Sequence, residues 1–108
     1  MSPRVAPTGI GAEAARARRG EIPLVARVDA ALARMAEHED DILALLPEPG
    51  RAERLRAEAA ALERRWPDPA GRPALFGCLV GVKDIFSAEG FETGAGSRLP
   101  TGLFRMPE

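Results

Sequence analysis

The residue that invites a chemical reading is Lys83. It stands in the run A-L-F-G-C-L-V-G-V-K-D-I-F, Ala74 to Phe86, where every neighbour except Asp84 is apolar or glycine. A lysine works as a base near neutrality only when its surroundings bring its pKa from about 10.4 to roughly 7–8, a change worth roughly 4 kcal/mol. Burial among apolar groups acts in that direction because it disfavours the charged form. The competing reading is a lysine at the end of a strand, its ammonium snorkelling to water. The pattern alone leaves both open.

The element that must position Lys83 reads as a buried strand over Leu75 to Phe86. Strand alternation puts Gly77, Leu79, Gly81, Lys83 and Ile85 on one side, with Phe76, Cys78, Val80, Val82, Asp84 and Phe86 on the other. Asp84 is then no same-face partner for Lys83. Gly77 and Gly81 leave the lysine face open to another backbone or to a ligand.

The stretch G-C-L-V-G-V-K-D-I-F, followed by G-F-E-T-G-A-G-S, resembles the amidase-signature family of serine hydrolases. The matching residues are Gly77, Gly81, Val82, Lys83, Asp84, Gly90, Thr93, Ala95, Gly96 and Ser97, and Leu79 stands where the family usually has proline. The resemblance implies an α/β fold: N-terminal helices leading into the first strand or strands of a mixed-sheet core, incomplete in this chain. It also implies that Lys83 is the base of a Ser–cis-Ser–Lys triad that hydrolyses an amide C–N bond through an acyl-enzyme. Neither metal nor organic cofactor is implied. Both triad serines belong to later segments of the family's chain, whereas the serines here are Ser2, Ser87 and Ser97, none in a nucleophile context. The expectation is therefore a truncated front end, inactive alone, whose partner is a small-molecule amide, with a complementing chain as one alternative. A helical interaction module without chemistry is the remaining alternative.

Composition narrows the classes. With 15 basic against 16 acidic residues the formal charge is -1, which argues against a nucleic-acid surface. The single cysteine, Cys78, excludes an internal disulfide and fits a reducing compartment. Neither a membrane span nor a signal peptide is legible, so the expected setting is cytoplasmic, away from membranes.

Three regions follow in order: a flexible lead-in over 1–9, a helical region over 10–73, and the start of the amidase core over 74–108. Helices are expected over Gly11–Arg19, closed by Gly20, over Ile22–His38, and over Arg51–Arg65. Val25, Val28, Leu32 and Met35 form the stripe of the second helix. Leu55, Ala59 and Leu62, extended by Trp66, form that of the third. His38, in H-E-D-D, matches no metal template and reads as a solvated helix end. Ile42–Leu46 is expected as a short strand or tether, P-D-P-A-G-R-P as a turn, Phe91–Thr93 as a second short strand, and G-A-G-S as a loop that is not a phosphate cradle.

Overall fold

A computed structural model describes residues 9–104. The expected lead-in thus lies, all but Gly9, outside the described residues, as do the final four positions.

Three helices carry the fold. The first, α1 (Ile10–Arg18), is alanine-rich and buries Ala14 and Ala17. Gly20, at φ 73, closes it, with the Gly20 N–H donating to Ala17 O and the Glu21 N–H to Arg16 O. Helix α2 (Leu24–Ile42) starts after Pro23 and runs past the expected stop at His38. Its charged H-E-D-D residues simply continue the helix. The turn comes at Leu43, held at φ 52 with its N–H on Glu39 O, so the expected strand or tether over Ile42–Leu46 is a helix end followed by an exposed loop. Helix α3 (Arg51–Arg65) has the expected bounds.

Helices α2 and α3 pack antiparallel. The start of α2 meets the end of α3 where the Leu24 N–H donates to Glu63 Oε1 at 2.7 Å, and further along Arg56 Nε donates to Asp29 Oδ1 at 2.8 Å. Between them lies a small core of Ala17, Leu24, Val28, Ala59 and Phe76, flanked by half-buried Leu32, Leu55, Leu62 and Trp66. Leu24 belongs to this stripe although the expected pattern begins at Val25. Its register, four residues before Val28, is what a 3.6-residue period requires.

Arg72 ties the helix ends together. Its Nε donates to Trp66 O at 2.9 Å and its Nη1 to Ala17 O and Arg18 O at 3.3 and 3.4 Å, while the guanidinium lies 4.5 Å from the Phe76 ring centre. The final carbonyls of α1 and the end of α3 thus share one cation, which suits the negative ends of helices. Phe76 in turn meets Trp66 edge-on, with ring centres 6.4 Å apart.

The α/β expectation is overturned. Among the described residues there is no β-strand. Residues 74–77 form a turn, with the Phe76 N–H on Pro73 O and the Cys78 N–H on Leu75 O, and Gly77 at φ 73 breaks the alternation. Of the apolar run only Phe76 is buried; Leu75, Val80, Val82, Ile85 and Phe86 are more than half exposed. Phe91–Thr93 is likewise no strand. A strand needs a neighbour to receive its backbone hydrogen bonds, and among the described residues none pairs with the run. The radius of gyration, 16.2 Å, exceeds the roughly 13 Å of a closed domain of this length.

Candidate functional site

Lys83 lies at the end of a stretch, Cys78 to Lys83, that runs without turn or bend. Its side chain is exposed and makes no ion pair or hydrogen bond with any described residue. It is also the sole lysine of a chain with 15 basic residues, the others being arginine. The buried setting expected of a base is not present around it.

The two halves of the resembling motif nevertheless meet. Lys83 opens a turn closed by the Phe86 N–H on Lys83 O at 3.1 Å. Asp84, the next residue, holds the glycine-rich loop: its Oδ1 accepts the Gly94 N–H at 2.9 Å and its backbone O accepts the Ala95 N–H, also at 2.9 Å. Thr93 Oγ1 donates to Phe86 O at 3.2 Å. A Cβ at Gly94 would stand 3.0 Å from Asp84 Oδ2, so the small residue permits the approach. Strand alternation says of Asp84 only that it faces away from Lys83, and its bond to a loop ten residues on has no sequence signal beyond the glycines themselves. Ser97 closes the loop by accepting the Leu99 N–H at 3.0 Å.

Helix α3 reaches this loop through Arg54, whose i,i+4 pairing with Glu58 is legible in the sequence and is formed, while its contact with the loop is not. Its guanidinium lies 5.0 Å from the centre of the Phe91 ring while donating to Glu48 at 3.0 Å and to Glu58 at 3.0 and 3.1 Å. The Arg54 hydrogen bond holds the Glu48 carboxyl below its ordinary range against the opposing effect of desolvation, and the same contact raises Arg54. Arg51 adds a second donor to Glu48 and reaches Leu46 O. His38 sits exposed beside Glu37, its Nε2 3.8 Å from the carboxylate.

A cavity of about 70 Å³ opens between α2, α3 and residues 77–79, lined by Leu24, Leu55, Leu62, Cys78 and Leu79 among others. Lys83 is not part of its wall. Small-molecule sites are usually about 300–1,000 Å³, so this gap is no substrate pocket.

The residues joined through Asp84 are those of the amidase-like pattern, and most of the chain is similar in sequence to part of a known protein. The chain resembles part of an amidotransferase. Over 81 residues it is 36% identical to one subunit of the glutamyl-tRNA(Gln) amidotransferase of Roseiflexus sp. (strain RS-1), a match that takes in 75% of this chain and 16% of the relative. That relative belongs to the amidase-signature family. No family model matches the chain, and no solved structure does. The chain thus spans about a sixth of the length of the curated relative it matches. No helix among the described residues is long and apolar enough to cross a membrane.

Proposed function

We propose that this chain is the front portion of an amidase-signature hydrolase, with Lys83 as the proton acceptor of its triad. The observation that carries the reading is the joining of G-V-K-D to T-G-A-G-S through Asp84, because it brings the two resembling segments into one unit. The 36% identity to a component of an amidotransferase supports the same chemistry, cleavage of an amide C–N bond. In the assembled site neutral Lys83 takes a proton through one serine, a second serine attacks the amide carbonyl, and the tetrahedral adduct collapses to an acyl-enzyme as the amine leaves with that proton. Backbone N–H groups stabilise the oxyanion and water releases the acid. The work needs no metal or organic cofactor, and a reducing, cytoplasmic setting suits the lone thiol of Cys78.

Alone the chain is inactive, because Lys83 stands in water and the nucleophile must come from elsewhere. The exposure of Leu75, Val80, Val82, Ile85 and Phe86 favours a complementing polypeptide over a self-sufficient helical module. The test combines the chain with a polypeptide covering the remaining span of the Roseiflexus relative and follows release of 4-nitroaniline from 4-nitroacetanilide. The expected result is turnover only on mixing, with Lys83→Ala lowering it about 10²–10⁴-fold, the usual contribution of a general base. Turnover by the chain alone, or turnover on mixing that survives Lys83→Ala, contradicts the reading.

A further inference from the structure

We infer that Asp84 is a positioning residue for Lys83, and that it acts as a hydrogen-bond acceptor and not as a countercharge. The inference rests on the amidase reading above, since there is something to position only where Lys83 takes a proton. With no side-chain partner among the described residues, Lys83 is fixed by the backbone on which it stands. That backbone is held from one side. Residues 79–82 make no backbone hydrogen bond with any described residue. On the other side Lys83 O accepts the Phe86 N–H, Asp84 takes the successive amides of Gly94 and Ala95 on its Oδ1 and its backbone O, and Phe86 O accepts from Thr93 Oγ1. Asp84, Thr93 and Gly94 are half-buried, whereas residues 79–83, 85–87 and 95–99 are exposed.

The Asp84 carboxylate is committed to the Gly94 amide at 2.9 Å, and the adjacent Lys83 ammonium does not share it. Its contribution to the lysine is therefore a fixed Cα next in the chain. Two substitutions separate acceptor from charge. Asparagine keeps a carbonyl oxygen in the place of Oδ1 and drops the charge, while glutamate keeps the charge and carries the acceptor one methylene further. The longer side chain overshoots, because Gly94 lies so near that a Cβ on it would stand 3.0 Å from Asp84 Oδ2. Alanine removes only the Oδ1 bond and leaves the backbone bond to Ala95.

The helical core does not contain Asp84, so these substitutions leave the helices folded, as far-ultraviolet circular dichroism would verify. In the chain alone, Asp84→Ala and Asp84→Glu should speed hydrogen exchange of the Gly94 amide about tenfold, and Asp84→Asn should keep it near the native rate. Mixed with a polypeptide covering the remaining span of the Roseiflexus relative, the alanine and glutamate variants should lose about 10²-fold in kcat on 4-nitroacetanilide with KM little changed, the cost of a misplaced reacting group. Asp84→Asn should restore most of that loss. In a Lys83→Ala background Asp84→Ala should cost no more than about twofold, because a residue that acts through Lys83 then has nothing left to position. Equal losses in both backgrounds overturn the inference, as does an asparagine variant as impaired as alanine, or a Gly94 amide that exchanges no faster in Asp84→Ala than in the native chain. Turnover on mixing that needs Lys83 but survives Asp84→Ala overturns it while leaving the amidase reading standing. A native mixture without turnover overturns both.

Discussion

Phe76 and Phe86 lie ten residues apart in one apolar run, yet the first is 2% exposed and the second 60%. Phe76 has Trp66 at its edge, Arg72 on its face, and the buried side chains of α1, α2 and α3 around it. Phe86 sits in a loop fastened by hydrogen bonds to Gly94, Ala95 and Thr93, with no apolar wall behind it. The difference lies in where each region finds its backbone partners. Helices satisfy their own N–H and C=O groups and need only a stripe to bury, so three short ones can close on a few side chains. In the segment after Phe76, residues 79–82 make no backbone hydrogen bond with any described residue.

Paired truncations give the largest expected contrast. Phe76→Ala should destabilise the fold by about 3–5 kcal/mol, enough to leave so small a core largely unfolded, whereas Phe86→Ala should stay within about 0.5 kcal/mol. Urea titration followed by helical circular dichroism measures both. Equal effects would mean that the two regions form one cooperative unit after all.

Gly77 marks the border between the regions, and its replacement comes next in size. A Cβ there would stand 2.3 Å from Leu24 Cδ2, and the residue sits at φ 73. Leu24 is buried in the core and has little room to swing aside. Gly77→Ala therefore combines a left-handed backbone, about 1–2 kcal/mol, with overpacking of about 1–3 kcal/mol. A loss of roughly 2–5 kcal/mol in the same titration is expected from these two effects. A neutral result would show that the chain crosses Leu24 by another path. Gly77 also falls on the amidase-like pattern, so this position of the motif has a packing reason independent of catalysis.

The helices are legible because Leu55, Ala59, Leu62 and Trp66 repeat at a spacing that only a helix turns to one side. The run from Leu75 to Phe86 misleads because an apolar stretch looks the same whether a sheet covers it or not. Periodicity carries no information about the neighbour. The Arg72 bonds to Ala17 and Arg18 span 55 and 54 residues, and no local pattern encodes such a reach. The motif itself is legible as a pair of segments, but no pattern in the sequence points to their meeting through Asp84. The exposure of Lys83 is not legible either, because an apolar flank reads the same whether or not other residues cover it.

Arg54 is the side chain that bridges the two regions, and acid should weaken its hold. Glu48 has a lowered pKa in the folded chain because it accepts hydrogen bonds from Arg54. A carboxyl of this kind contributes stability that is whole above its unfolded value of about 4.3 and lost as pH falls through the lower folded value. Melting temperatures measured from pH 6 downward should therefore decline below about pH 4.3 more steeply in the native chain than in Glu48→Gln. The effect is the smallest of the three, since Glu48 is partly solvated and its pairing is screened by salt. In the same titration the ring resonances of Phe91 should shift with protonation in the native chain as Arg54 loses one of its anchors, and should not do so in Glu48→Gln. Parallel melting curves with a Phe91 ring indifferent to acid would mean that Arg54 holds the loop without help from Glu48, and that the two regions are joined by the cation–ring contact alone.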